Sequence, residues 1–127
     1  GLVVSADAKS LTMNDVDKDG KVDFLVGVNN GKFLSFINDI DFNGSAIRLS
    51  DLPKGKHFIG AKVWLHFNNG NIQMHQLSGN SGYLSQSGPV IYIGNKSEIK
   101  KMIIKWPNGS KDEINISNSP ELFSSTF

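Results

Sequence analysis

The chain has 127 residues, of which thirteen are basic and twelve acidic, giving a formal charge of +1, and it contains no cysteine. That length holds one domain, or one domain and a fragment, around a single core. The balanced charge argues against a counterion-driven nucleic-acid surface, and the lack of cysteine excludes disulfides, thiolate metal sites and cysteine nucleophiles.

No apolar run approaches the roughly 20 residues of a membrane-spanning helix. The opening Gly1-Leu2-Val3-Val4-Ser5-Ala6 has neither the basic nor the long apolar region of a signal peptide, so the expectation is a mature or excised piece. Leu2 to Val4 could form a brief strand, and Ala6 to Ser10 reads as a turn. Asp15, Asp17, Asp19 and Asp23 then place four carboxylates in nine residues. Gly20 allows a sharp turn, Lys21 can offer its carbonyl, and calcium takes six to eight such oxygens at about 2.3–2.6 Å. A divalent cation would make this crowding favourable; the plain alternative is a solvated acidic turn. A helix-loop-helix calcium hand is excluded, because the twelfth loop position, which needs glutamate, is Val26. Phe24 to Val28 reads as a buried strand, Asn29 to Lys32 as a turn, and Phe33 to Ile37 as the returning strand.

Residues 38 to 56 read as a connecting region with one apolar stretch, Ala46 to Leu49. From Phe58 alternation is clear, with Ile59, Ala61, Val63, Leu65 and Phe67 on one face and Lys62, Trp64 and His66 on the other. Asn69-Gly70 reads as a two-residue type I′ turn. That register sets His66 across from Gln73 and Trp64 across from His75, and turns Ile72 and Met74 to the apolar face. Trp64, His66, Gln73 and His75 thereby form an aromatic and polar face, a candidate ligand surface or simply an exposed side of a sheet. The loop Gly79 to Gly88 either grips a ligand or caps sheet edges, with Tyr83 as a buried strut. Pro89–Ile93, Ile99–Trp106 and Lys111–Ile116 complete the strands, with Lys100-Lys101 read as charged gatekeepers on an edge. Frequent turn signals and the absence of a helical stripe predict an all-β sandwich. Asn-x-Ser triplets at Asn43, Asn95, Asn108 and Asn115 fit surface turns. Gly79-Asn80-Ser81-Gly82 lacks the second glycine of a serine-hydrolase elbow, Tyr83 standing there, and no catalytic residue is expected.

The stretch Asn14 to Gly27 resembles the calcium-loop repeats of integrin-type propellers, the FG-GAP or VCBS repeats. The resemblance implies a loop between strands of one blade and the ligand set Asp15, Asp17, Asp19, the Lys21 carbonyl and Asp23. A propeller needs four to eight blades, whereas this chain shows one repeat; either a propeller precedes it in a longer protein or the hairpin docks on its neighbour. Further on, Ile59-Gly60-Ala61-Lys62-Val63, Gly79 through Ser87 and Ile104-Lys105-Trp106-Pro107-Asn108-Gly109 resemble the ASPIC and UnbV domain in order and spacing. That family's domain follows propeller repeats at the carboxyl end of secreted proteins, which implies an extracellular, cell-surface or periplasmic location. The expected organisation is a calcium-loop hairpin of propeller-repeat type over 1–40, a connector over 41–56, a β-sandwich over 57–118 and a tail over 119–127. The expected function is noncatalytic, calcium-stabilised binding or adhesion, with an unknown protein or glycan partner, no nucleic acid and no membrane span. The alternatives are a glycan-binding or accessory domain of a carbohydrate-active enzyme, or a structural cap on an upstream propeller.

Overall fold

The computed structural model describes residues 2–41, 44–49, 57–80, 82 and 85–116. Asn43, residues 50–56, Ser81, Tyr83, Leu84 and the tail expected over 119–127 lie outside the described residues. The fold is all-β, in several antiparallel sheets. Strands β1 (Ala8–Asn14), β2 (Asp23–Val28) and β3 (Leu34–Phe36) form one sheet in chain order. Strand β4 (Ser45–Arg48) pairs with β7 (Val90–Ile93). Strands β5 (Lys62–Phe67), β6 (Ile72–Gln76), β8 (Ile99–Lys105) and β9 (Lys111–Asn115) make a sheet in the order β6-β5-β8-β9.

The two later sheets enclose one core. Val63 and Leu65 of β5 and Met102 and Ile104 of β8 are fully buried, against Ile47 from β4 and Ile91 and Ile93 from β7. Trp106 closes one end, with its indole N–H donated to Asp112 Oδ2 at 2.7 Å, which satisfies the ring's one polar group inside an apolar site. This is the sandwich the alternation predicts. Ile47 and Leu49 are core residues, so the stretch read as a connector carries a core strand. A four-residue strand is too short for its period to stand out in the sequence.

Further expectations are corrected. Leu2 to Val4 is not a strand, and the first strand begins at Ala8, inside the expected turn at Ala6 to Ser10, of which the bend at Ala6 remains. In β1 the apolar Leu11 and Met13 face solvent, so its backbone pairing with β2, not an apolar stripe, makes it a strand. Lys100 and Lys101 do not lie on an edge: β8 is an interior strand between β5 and β9, and Lys101 Nζ reaches Glu113 at 2.8 Å.

The β5–β6 register is corrected as well. His66 pairs with Ile72, Leu65 with Gln73, Trp64 with Met74 and Val63 with His75, one residue away from expectation. The Phe67 N–H donates to the Asn71 carbonyl at 2.9 Å, so the loop has three residues, Asn68-Asn69-Gly70. Asn69 is not among the positive-φ residues, as type I′ would require; its Oδ1 accepts the Asn71 N–H at 2.9 Å, and Gly70 alone takes φ +87°. That is a type I turn followed by a left-handed glycine. A one-residue slip moves every later side chain to the other face. Ile72 and Met74 are accordingly 58% and 53% exposed instead of lying in the core. Ile59, expected to point inward, is also exposed, in the turn before β5.

Candidate metal loop and sheet face

The acidic loop connects β1 to β2, closed at its base by the Asn14–Asp23 pair. Lys18 and Gly20 take φ of +67° and +84°, which bends the chain so that the Asp15, Asp17 and Asp19 carboxylates converge, with one oxygen from each within 4.8 Å of the others. Backbone donors hold this arrangement. Asp15, buried, accepts the Asp19 N–H on Oδ1 at 3.0 Å and the Gly20 N–H on Oδ2 at 3.1 Å. Asp17 Oδ1 also accepts from the Asp19 N–H, at 3.3 Å, and Asp19 Oδ1 accepts the Lys21 N–H at 2.8 Å.

Asp23, with no exposed surface, stands apart from that trio. Its Oδ2 accepts the Val16 N–H at 2.7 Å and its Oδ1 the Asn38 N–H at 2.8 Å. It therefore ties the start of the loop to the segment after β3. Three of the four carboxylates singled out from the sequence come together, and the fourth braces them. Lys21 Nζ lies 2.6 Å from Asp19 Oδ2; this partner holds the Asp19 carboxyl below its ordinary value and the ammonium above its own.

Among the described residues, two contacts that join the loop to the sandwich have no local signature. A Cβ on Gly20 would lie 2.9 Å from the Gly44 carbonyl oxygen, so the two glycines let the loop backbone abut the chain entering β4. Tyr92, on β7, has its phenol pushed up to about 12, first by burial and then by the nearby charges of Asp15 and Asp23. Gln86 and Ser87, near the end of the stretch 79–88, do cap an edge: Thr12 Oγ1 donates to the Gln86 carbonyl at 3.0 Å and the Met13 N–H to Ser87 Oγ at 3.3 Å.

The second candidate surface does not assemble. Because Val63 faces inward, its partner His75 shares the inner side, and Gln73 lies beside Leu65. Trp64 and His66 project from the opposite side, with Met74 and Ile72 beside them. The four proposed ligand residues are split two and two between faces by the register change. His75 is half-buried, its Nε2 has no hydrogen-bond partner among the described residues, and burial lowers its proton affinity.

The chain is 29% identical over 111 residues to cartilage acidic protein 1 from Homo sapiens, an alignment covering 84% of this chain and 17% of that protein. The chain thus spans about a sixth of its relative's length. The family model for ASPIC and UnbV matches residues 53–120, more than half of the chain and the span that contains β5 through β9 with the intervening loop. With its matched span exceeding half of the chain and supplying most of the core, the chain belongs to the ASPIC and UnbV family.

Proposed function

We propose that the chain is a noncatalytic binding or adhesion module, held in shape by calcium, from the C-terminal part of a larger extracellular or surface protein. The observation that carries this reading is the convergence of Asp15, Asp17 and Asp19 in a hairpin loop bent by Lys18 and Gly20. An all-oxygen, carboxylate-rich donor set fits a hard divalent cation. Asp15, Asp17 and Asp19 would hold it through side chains and Lys21 through its carbonyl, with Asp23 close behind as ligand or brace. When bound, the ion supplies counter-charge to the carboxylates. The spacing of these residues supports a propeller-type repeat, and the likeness to a cartilage protein supports a location outside the cytoplasm.

Thermal melting with calcium and with chelator tests the reading. A ligand that binds only the folded form at 100 times its dissociation constant adds roughly 2.7 kcal/mol. Asp17→Ala should remove most of that gain, because it deletes a donor. Lys21→Ala should keep the gain or enlarge it, because the ammonium on Asp19 competes with a cation. Equal sensitivity at both positions, or melting indifferent to calcium, identifies an acidic turn. The noncatalytic part fails if a panel of glycosidic and ester substrates is turned over and a point change in the chain abolishes the turnover.

A further inference from the structure

The outer face of the four-stranded sheet carries two parallel rows that cross the strands. In one, Lys62 on β5 pairs with Lys105 on β8, and Lys105 with Lys111 on β9. All three are exposed, and among the described residues none is in an ion pair. Like charges directly opposite on neighbouring strands, spaced about 4.8 Å, oppose sheet formation. The one acid of the adjoining row, Glu113, is occupied by Lys101. That second row runs Met74, Trp64, Ile103, Glu113 and brings the half-buried indole of Trp64 next to the lysines.

We infer that this face binds an acidic polysaccharide, laid across the strands with its anionic groups on Lys62, Lys105 and Lys111 and its sugar faces on Trp64. Charge complementarity selects an anionic partner. The layout selects a polymer whose every unit bears both a charge and an apolar face, since the basic row and the apolar side chains of Met74, Trp64 and Ile103 run side by side in the same direction. A peptide strand gains least here: the backbone groups of β5 and β8 are already paired within the sheet, so only side chains are offered. The inference rests on the reading of the chain as a binding module, though not on the metal.

The test measures binding of the full chain to heparin, to polygalacturonate, to poly-L-glutamate and to a single-stranded oligonucleotide, each with calcium and with chelator. Heparin supplies sulfates and polygalacturonate only carboxylates, so the pair tells which anion is read. The expected result is salt-sensitive binding to at least one of them, unchanged by chelator. Replacing all three lysines, K62Q/K105Q/K111Q, should weaken it about tenfold or more, with melting unchanged or raised by relief of repulsion. K9Q/K32Q/K96Q, the same charge change elsewhere, should leave it within about twofold, and W64A should weaken it at constant charge. No binding to either polysaccharide, equal loss in the two triple variants, or binding to poly-L-glutamate or the oligonucleotide as tight as to the polysaccharides overturns the inference. If calcium-dependent melting persists in that case, the metal reading stands by itself.

Discussion

Small polar residues do much of the local shaping. Asn69, Asn95 and Asn108 each accept a backbone N–H two residues ahead, from Asn71, Ser97 and Ser110. This side-chain mimic of a turn stabilises the local bend. Glycines then decide how a loop exits, and two of them separate backbone strain from packing. Gly70 has φ +87°, and a Cβ added there would meet no described atom within 4 Å, so Gly70→Ala should cost only the left-handed penalty, about 1–2 kcal/mol. Gly20→Ala meets the same penalty and also the Gly44 carbonyl, so it should cost more. Urea denaturation of the two variants checks the order. Leu65 and Met74 give a second contrast on adjacent strands. Leu65 is fully buried, and Leu65→Ala should cost about 2–5 kcal/mol; Met74 is 53% exposed, and Met74→Ala should stay within about 0.5 kcal/mol. Similar losses at both positions would restore the two-residue turn and its register.

At the scale of elements, the three-residue loops Asn68-Asn69-Gly70 and Pro107-Asn108-Gly109 repeat one device. Each is closed by an N–H to carbonyl bond, Phe67 to Asn71 and Trp106 to Ser110, and each ends in a left-handed glycine. The first of them places His75 on the inner side of β6, where burial disfavours the imidazolium. Its folded-state pKa lies below the ordinary value of 6.5, so the unfolded chain binds the proton more readily. The resulting stability is complete above the unfolded value and declines as pH falls from about 6.5 toward the lowered folded value. Denaturation midpoints of the chain and of His75→Gln, measured between pH 7.5 and pH 5 (about one unit above and 1.5 below that ordinary value), should differ in slope there. Identical slopes would show that His75 is as well hydrated in the fold as out of it.

Across the whole molecule, the first sheet and the sandwich are linked by the Gly20–Gly44 approach, by Tyr92 near Asp15 and Asp23, and by Thr12 and Met13 bonded to Gln86 and Ser87. Calcium bound at the loop should therefore raise the melting of the entire chain in one transition. Calorimetry checks this: two steps, of which only the first responds to calcium, would mean that these links are too weak to couple the parts.

Strand content, the sandwich core and the acidic loop are legible in the residues themselves, because they follow from short-range rules. Alternation with period two marks Ala61 to Phe67, the apolar runs Val90 to Ile93 and Met102 to Ile104 mark two further strands, and Asp at alternate positions before a glycine marks the loop. Tertiary structure decided the rest. Asn-Gly is compatible with a two-residue or a three-residue loop, and the choice, which sends Met74 out and His75 in, is made by how β5 and β6 pack on the core. Strand β4 is too brief to announce itself and exists because β7 pairs with it over the same core. The lysine row could not be seen in the sequence either, since Lys62, Lys105 and Lys111 are brought side by side only by the pairing of three strands distant in the chain.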